Sequence, residues 1–365
     1  MTSKQTGGEA QWVGIATVVM TLVGWSSVPL FLKHFSHSID HLTSNGWRYG
    51  FSALLWAPVV VVALARKKLP PGVWRAAIVP AIFNTVGQFA FAWAHYKISP
   101  GLLSFGLRTQ IAFVAIGAFM LFPSERRVIR SRPYLVGLAM VFCGAIGTIL
   151  LSDKGLSNDG GATSWLGVAL AIGSGALFAG YGLSVRKCMH GMHPVLAFAV
   201  ICQYTGAALA AIMFAWGHNA GMDVLRLPDG QIALLLLSAV IGIALGHVVY
   251  YISIARLGVA VTAGVIQLQP FLVAAASYFL FREQLKAVQW VSGGVAIIGA
   301  GMMLAIQRRL SAPGAPVVTP QNGDLRLDGL DQDAEAAATA GPEAPPPMVA
   351  DARPRTPPLR GDSLR

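Results

Sequence analysis

Carboxylates are scarce in this chain, and in its apolar stretches they are missing altogether. Asp and Glu number 16 in 365 residues, charged residues of all kinds make up 12%, and 55% of the residues are hydrophobic. A soluble globule of this length carries about a quarter of its residues as charges, so a water-soluble fold is excluded. Cysteine is also rare. Cys143, Cys188 and Cys202 show no CxxC spacing, which excludes a disulfide framework and a thiolate metal site. Without acids in the apolar runs there is no carboxylate pair, no Ser/His/Asp set and no HExxH on which to build an enzyme. A proton relay through a buried carboxylate is excluded for the same reason, leaving facilitated exchange or protonation of His247 as ways to drive a carrier.

What the chain does have is long apolar runs. Ten follow one another, at 12–33, 46–65, 73–96, 101–122, 133–152, 164–185, 194–216, 231–252, 258–281 and 287–307. A helix needs about 20 residues to cross about 30 Å of hydrocarbon, so these read as ten transmembrane helices of an all-α polytopic membrane protein. The first run lacks a small-residue cleavage site and reads as a retained span. Net charge is +11, but residues 308–365 balance 7 basic against 8 acidic residues, so the surplus belongs to short loops. There it sets orientation and does not point to nucleic acid. Arg66, Lys67, Lys68 and Arg75 lie in one loop, and Arg126, Arg127, Arg130 and Arg132 in another. Counted over all loops, this bias places both termini in the cytoplasm of a multi-pass inner-membrane protein. The stretch 308–365, rich in Pro and Ala, reads as a disordered cytoplasmic tail, and residues 1–11 as a short cytoplasmic N-terminus.

Sliding the chain against itself reveals a duplication. Trp12-Val13-Gly14-Ile15-Ala16 recurs as Trp165-Leu166-Gly167-Val168-Ala169, an offset that also sets Trp25 on Phe178 and Lys33 on Arg186. At a slightly longer offset Gly87-Gln88 falls on Gly246-His247, Gln110 on Gln269 and Phe122 on Phe281. Residues 12–152 and 164–307 therefore form two five-helix repeats. An odd number of crossings per repeat makes the second copy inverted, an arrangement in which two halves rock about a shared midplane site.

The Trp25-Ser26-Ser27 step, Arg48 early in the second span, Glu125 after the fourth, Gln269-Pro270, Phe281-Arg282-Glu283 and the glycine-rich last span resemble the EamA-like branch of the drug/metabolite transporter superfamily over residues 12 to about 307. Departures are Pro123-Ser124 before Glu125, Ile111 where that family has proline, and Ser26 where glycine is common. The resemblance implies a secondary transporter, an exporter of a small metabolite such as an amino acid or related polar solute. A nucleotide-sugar or phosphate-ester exchanger is the alternative carrier, and a multi-pass enzyme or receptor the alternative from another class. The expected partners are a small-molecule substrate and membrane lipid, with a homodimer compatible; no cofactor or metal is implied.

Polar residues inside apolar spans mark the candidate cavity, because each costs insertion energy unless it faces polar surroundings. Arg108 is an anchor for a carboxylate or phosphate through its fixed fork of donors, or else it snorkels to the interface. Arg48, near the end of its span, leans toward snorkelling or structural pairing. Gln110, Gln267 and Gln269, with Gln88 and His247, share repeat positions or neighbour them; Trp25, Ser26, Asn84, Tyr181, Gln203 and Tyr250 complete a polar-aromatic lining. At about 100° per residue, Arg108 and Gln110 point to different faces of an unbroken helix, so only one of them faces the cavity squarely. In the first outer loop His34, His37, Asp40 and His41 have a spacing that gathers a metal on a helix, against a plain reading as solvated histidines.

Overall fold

A computed structural model of the protein describes residues 3–151, 164–189, 192–257, 262 and 265–310. Among these there are helices and turns but no strand. The helices are α1 (Ser3–Phe35), α2 (His41–Ala65), α3 (Val73–His95), α4 (Pro100–Leu107), α5 (Gln110–Leu121), α6 (Arg126–Ile129), α7 (Arg132–Leu150), α8 (Trp165–Cys188), α9 (Pro194–Trp216), α10 (Asp229–Ala239), α11 (Gly246–Leu257), α12 (Gln269–Phe281) and α13 (Ala287–Leu310). Among the described residues eight segments are long and apolar enough to cross a membrane, two of them joining consecutive pieces, Pro100–Leu121 and Asp229–Ser253. Arg132–Thr148 and Gln269–Phe281 are shorter apolar helices. Of the tail expected at 308–365, residues 308–310 belong to α13 and residues 311–365 lie outside the described residues.

Local chemistry sets the helix ends. The second span begins five residues earlier than its apolar run, because Asp40 caps α2 by accepting from the amides of Leu42 at 2.9 Å and Thr43 at 3.0 Å. This capping splits the histidine group of the first loop. His34 hydrogen-bonds Gln231 at 2.8 Å, His41 stacks on Trp93 at 5.4 Å, and Asp40 is occupied at the helix start. Among the described residues no group of three His, Cys, Asp or Glu converges on a metal position.

Lipid tails are as apolar as leucine, so helices in a bilayer gain little from hiding leucine from their solvent and depend on close backbone approach. Leu54, Val61, Ile82, Met120, Phe279 and Ile298 accordingly face outward. The α7–α13 pair, one of the most extensive contacts, shows how approach is achieved. A Cβ on Gly144 would lie 2.5 Å from the Ala296 amide nitrogen and from the Ser292 carbonyl oxygen, and one on Gly299 would lie 2.5 Å from the Gly137 carbonyl. Gln289 closes the seam by donating to the Thr148 carbonyl at 2.8 Å. The other main pairings are α2 on α9, α3 on α8, α1 on α11, α5 on α8, α3 on α9 and α4 on α12.

Candidate functional site

Two helices break where the polar residues cluster. Between α4 and α5 the amides of Arg108 and Thr109 bond three residues back, to the carbonyls of Phe105 at 3.0 Å and Gly106 at 3.1 Å, tightening the turn. Ahead of α12, Gln267 and Leu268 form the corresponding turn, with the Leu268 amide bonded to the Val265 carbonyl at 3.0 Å and Pro270 in the first turn of the new helix, where its missing N–H costs nothing. Non-helical backbone at membrane depth is tolerated where it is covered by protein or lines a cavity.

The breaks open on a cavity of about 190 Å³. Among its lining residues are Trp25, Arg48, Asn84, Gln88, Arg108, Gln110, Tyr181, His247, Tyr250, Gln267 and Gln269. Arg108 and Gln110 both reach it, in contrast to the expectation of opposite faces, because the turn at 108–109 interrupts the helical phase between them. Two candidates lie elsewhere. Ser26 bonds its own helix at the Leu22 carbonyl, 2.6 Å away, and Gln203 spends its amide on the carbonyls of Ala53 at 3.1 Å and Ala199 at 3.4 Å.

Arg108 donates through Nη2 to Gln269 Oε1 at 2.7 Å and through Nη1 to Gln267 Oε1 at 3.4 Å, while its buried Nε has no partner. Gln269 in turn donates to the Trp25 carbonyl at 2.9 Å, tying α12 to α1. Arg48, 2% exposed, donates from Nε to Ser238 Oγ at 2.9 Å. These acceptors are neutral. Among the described residues no carboxylate pairs with either arginine, and no carboxylate lines the cavity. The aromatic wall is continuous: Tyr250 lies 4.8 Å from Trp25, and His247 stacks on Phe198 at 4.4 Å while its Nδ1 meets the Ile243 carbonyl at 3.1 Å. Asn84 donates to Thr205 at 3.1 Å.

The lining also includes Tyr49, Phe91, Tyr134 and Phe178, which sequence reasoning did not select. A signal existed for two of them. Phe178 is the repeat counterpart of Trp25, and Phe91 stands to Tyr250 as Gln88 stands to His247. Asn84, Gln88 and Phe91, spaced by four and three, also share one helix face.

A model of the EamA-like transporter family matches residues 12–152 and again 165–305. Over 74 residues the chain is 36% identical to the triose phosphate/phosphate translocator, chloroplastic, of Pisum sativum, a stretch that covers 20% of this chain and 18% of the translocator. A solved structure described as "Crystal structure of protein" superposes with a TM-score of 0.50 at 15% identity, over 84% of this chain and 99% of that one, a likeness of fold alone.

Proposed function

The chain belongs to the EamA-like transporter family, and from that premise we propose that it carries a small organic anion, a carboxylate or a phosphate ester, by alternating access between inverted halves at 12–152 and 164–307. The observation that carries this reading is the pair Arg48 and Arg108, both on one cavity and both without an acid. A cation held at membrane depth costs about 2.5–3.5 kcal/mol even on lenient scales. Neutral acceptors meet only part of its hydrogen-bonding capacity and leave its charge unbalanced. An anionic substrate supplies the missing charge, and the guanidinium fork binds either a carboxylate or a phosphate in bidentate fashion.

The repeat supports alternating access. Each main helix pairing either joins counterparts (α2 with α9, α4 with α12, α7 with α13) or is exchanged with another by the duplication, as α3–α8 is with α1–α11. Ten crossings, with α7 and α12 as the two short ones, and both termini on the basic, cytoplasmic face complete the arrangement. Outward transport follows from the family resemblance. The stretch shared with the triose phosphate/phosphate translocator favours the phosphate-ester branch of the anion class.

A zwitterionic amino acid is the second reading. The apposed rings of Trp25 and Tyr250 offer its ammonium group an aromatic surface while Arg108 takes the carboxylate. Counterflow in proteoliposomes with labelled short carboxylates, phosphate esters and amino acids decides between them. Uptake of an anion lacking an amino group supports the proposal, and uptake confined to zwitterions or neutral solutes overturns it.

A further inference from the structure

Two ion pairs sit at counterpart positions of the duplication. Arg186 Nη1 lies 2.5 Å from Glu125 Oε1, and its guanidinium carbon lies 4.0 Å over the ring of Phe122. Lys33 Nζ lies 3.9 Å from Glu283 Oε1. The offset that sets Trp25 on Phe178 sets Lys33 on Arg186, and the offset that sets Gln110 on Gln269 brings Phe122 onto Phe281, each followed within three residues by the acid. A basic residue at the end of each repeat's first span thus meets the acid after the other repeat's fourth span.

On the ten-crossing reading above, on which this inference rests, three crossings separate Lys33 from Glu125. The two pairs therefore guard opposite faces of the membrane. Each bridges the halves: α1 of the first to the α12–α13 loop of the second, and the segment after α5 of the first to α8 of the second.

The geometry points to two reciprocal latches, Glu125–Arg186 on one face and Lys33–Glu283 on the other, that close in turn as the halves rock. The present conformation shows the two in unequal states. At Glu125–Arg186 both side chains are 12% exposed and in direct contact, with Phe122 as a floor; at Lys33–Glu283 they are 23% and 25% exposed and at the limit of pairing, and Glu283 also accepts from Ser277. Two halves that move as bodies about a midplane site shorten one end only by lengthening the other, so equal engagement of both latches is sterically opposed. Burial raises the Glu125 carboxyl pKa above its usual value against the opposing pull of Arg186.

The test is bridging in the full chain, with Cys143 and Cys188 replaced by serine and Cys202 by alanine, carrying Glu125→Cys, Arg186→Cys, Lys33→Cys and Glu283→Cys. A short bifunctional thiosulfonate is applied in membranes, and bridged peptides are counted by mass. Molecules bridged at both ends are expected about fivefold or more below the product of the two single yields. Double bridging at that product overturns the latches. Should the four-cysteine chain not fold, Arg186→Gln is read instead by maleimide labelling of Val114→Cys from the Arg186 face; a rise of about fivefold is expected, and unchanged labelling overturns the proposal. Neither readout needs a known substrate, so a failed latch with intact anion counterflow leaves the carrier reading standing.

Discussion

Arg108 and Gln267 occupy the same position in the two repeats, and they hydrogen-bond each other across the cavity at 3.4 Å. The offset that relates them also relates Gln110 to Gln269, and the two helix breaks coincide under it. A residue that touches its own counterpart lies beside the axis relating the halves. There the copies differ, one bearing a fixed charge and the other an amide, and on the proposed reading Arg108 is the central anion anchor, with Arg48 a second cation on the same cavity.

Replacing that anchor tests its role. Arg108→Gln keeps a donor for Gln269 but removes the charge, and a hydrogen bond to a charged group contributes about 1.5–3 kcal/mol. Substrate KM in proteoliposomes is expected to rise at least about tenfold with unchanged membrane insertion. Arg108→Lys recovers only part of the loss, since an ammonium cannot reproduce the fork.

The α7–α13 seam predicts a purely structural effect. Gly144→Ala drives a methyl group against the backbone of Ala296 and Ser292, which neither helix can relieve by turning a side chain. A loss of about 1–3 kcal/mol is expected, seen as a lower unfolding temperature in detergent, with substrate KM unchanged in the molecules that remain folded.

At the N-terminal end of α2, Asp40 accepts from Leu42, from the amide and hydroxyl of Thr43, and from the His218 amide at 3.2 Å. Partial burial raises its pKa, but these hydrogen bonds outweigh burial and hold it below the usual aspartate value. A lowered carboxylate pKa stabilises the folded state above the unfolded-state pKa, near 3.8, and that contribution is lost as pH falls through the folded value. Asp40→Ala is expected to cost about 1 kcal/mol at neutral pH, and the gap from the parent chain should shrink when melting is repeated in acid below that range.

Gly246 packs directly against Trp25, a residue of the cavity wall. A Cβ there would sit 2.6 Å from Trp25 Nε1, so Gly246→Ala displaces the indole from its place beside His247 and Tyr250. Turnover is expected to fall several-fold, and trimming the ring with Trp25→Phe in the same chain should restore part of it.

Much of this was legible in the sequence because membrane helices announce themselves. Apolar length marked ten runs, of which eight are long spans among the described residues, and a polar residue inside such a run is conspicuous, which is why Arg108, Gln269 and His247 stood out. Aromatic lining was harder to read, since Phe91 and Phe178 look the same in a cavity wall as in a packed core. Ser26 and Gln203 misled for the opposite reason: polar side chains can satisfy themselves on helix carbonyls, and the residue type does not say which they choose. The break at 108–109 carries no proline, so only the tertiary arrangement revealed that Arg108 and Gln110 share one chamber.

The central claim is that one chamber, built by both repeats around Gln110 and Gln269, is reached from the two sides in turn. It is tested most directly by thiol accessibility in sealed vesicles of either orientation, with Gln110→Cys or Gln269→Cys in a chain lacking its native cysteines and an impermeant maleimide added outside. The account predicts that each thiol reacts in both vesicle orientations and that a transported anion slows both reactions. Reaction from one side only, or from neither, would contradict it.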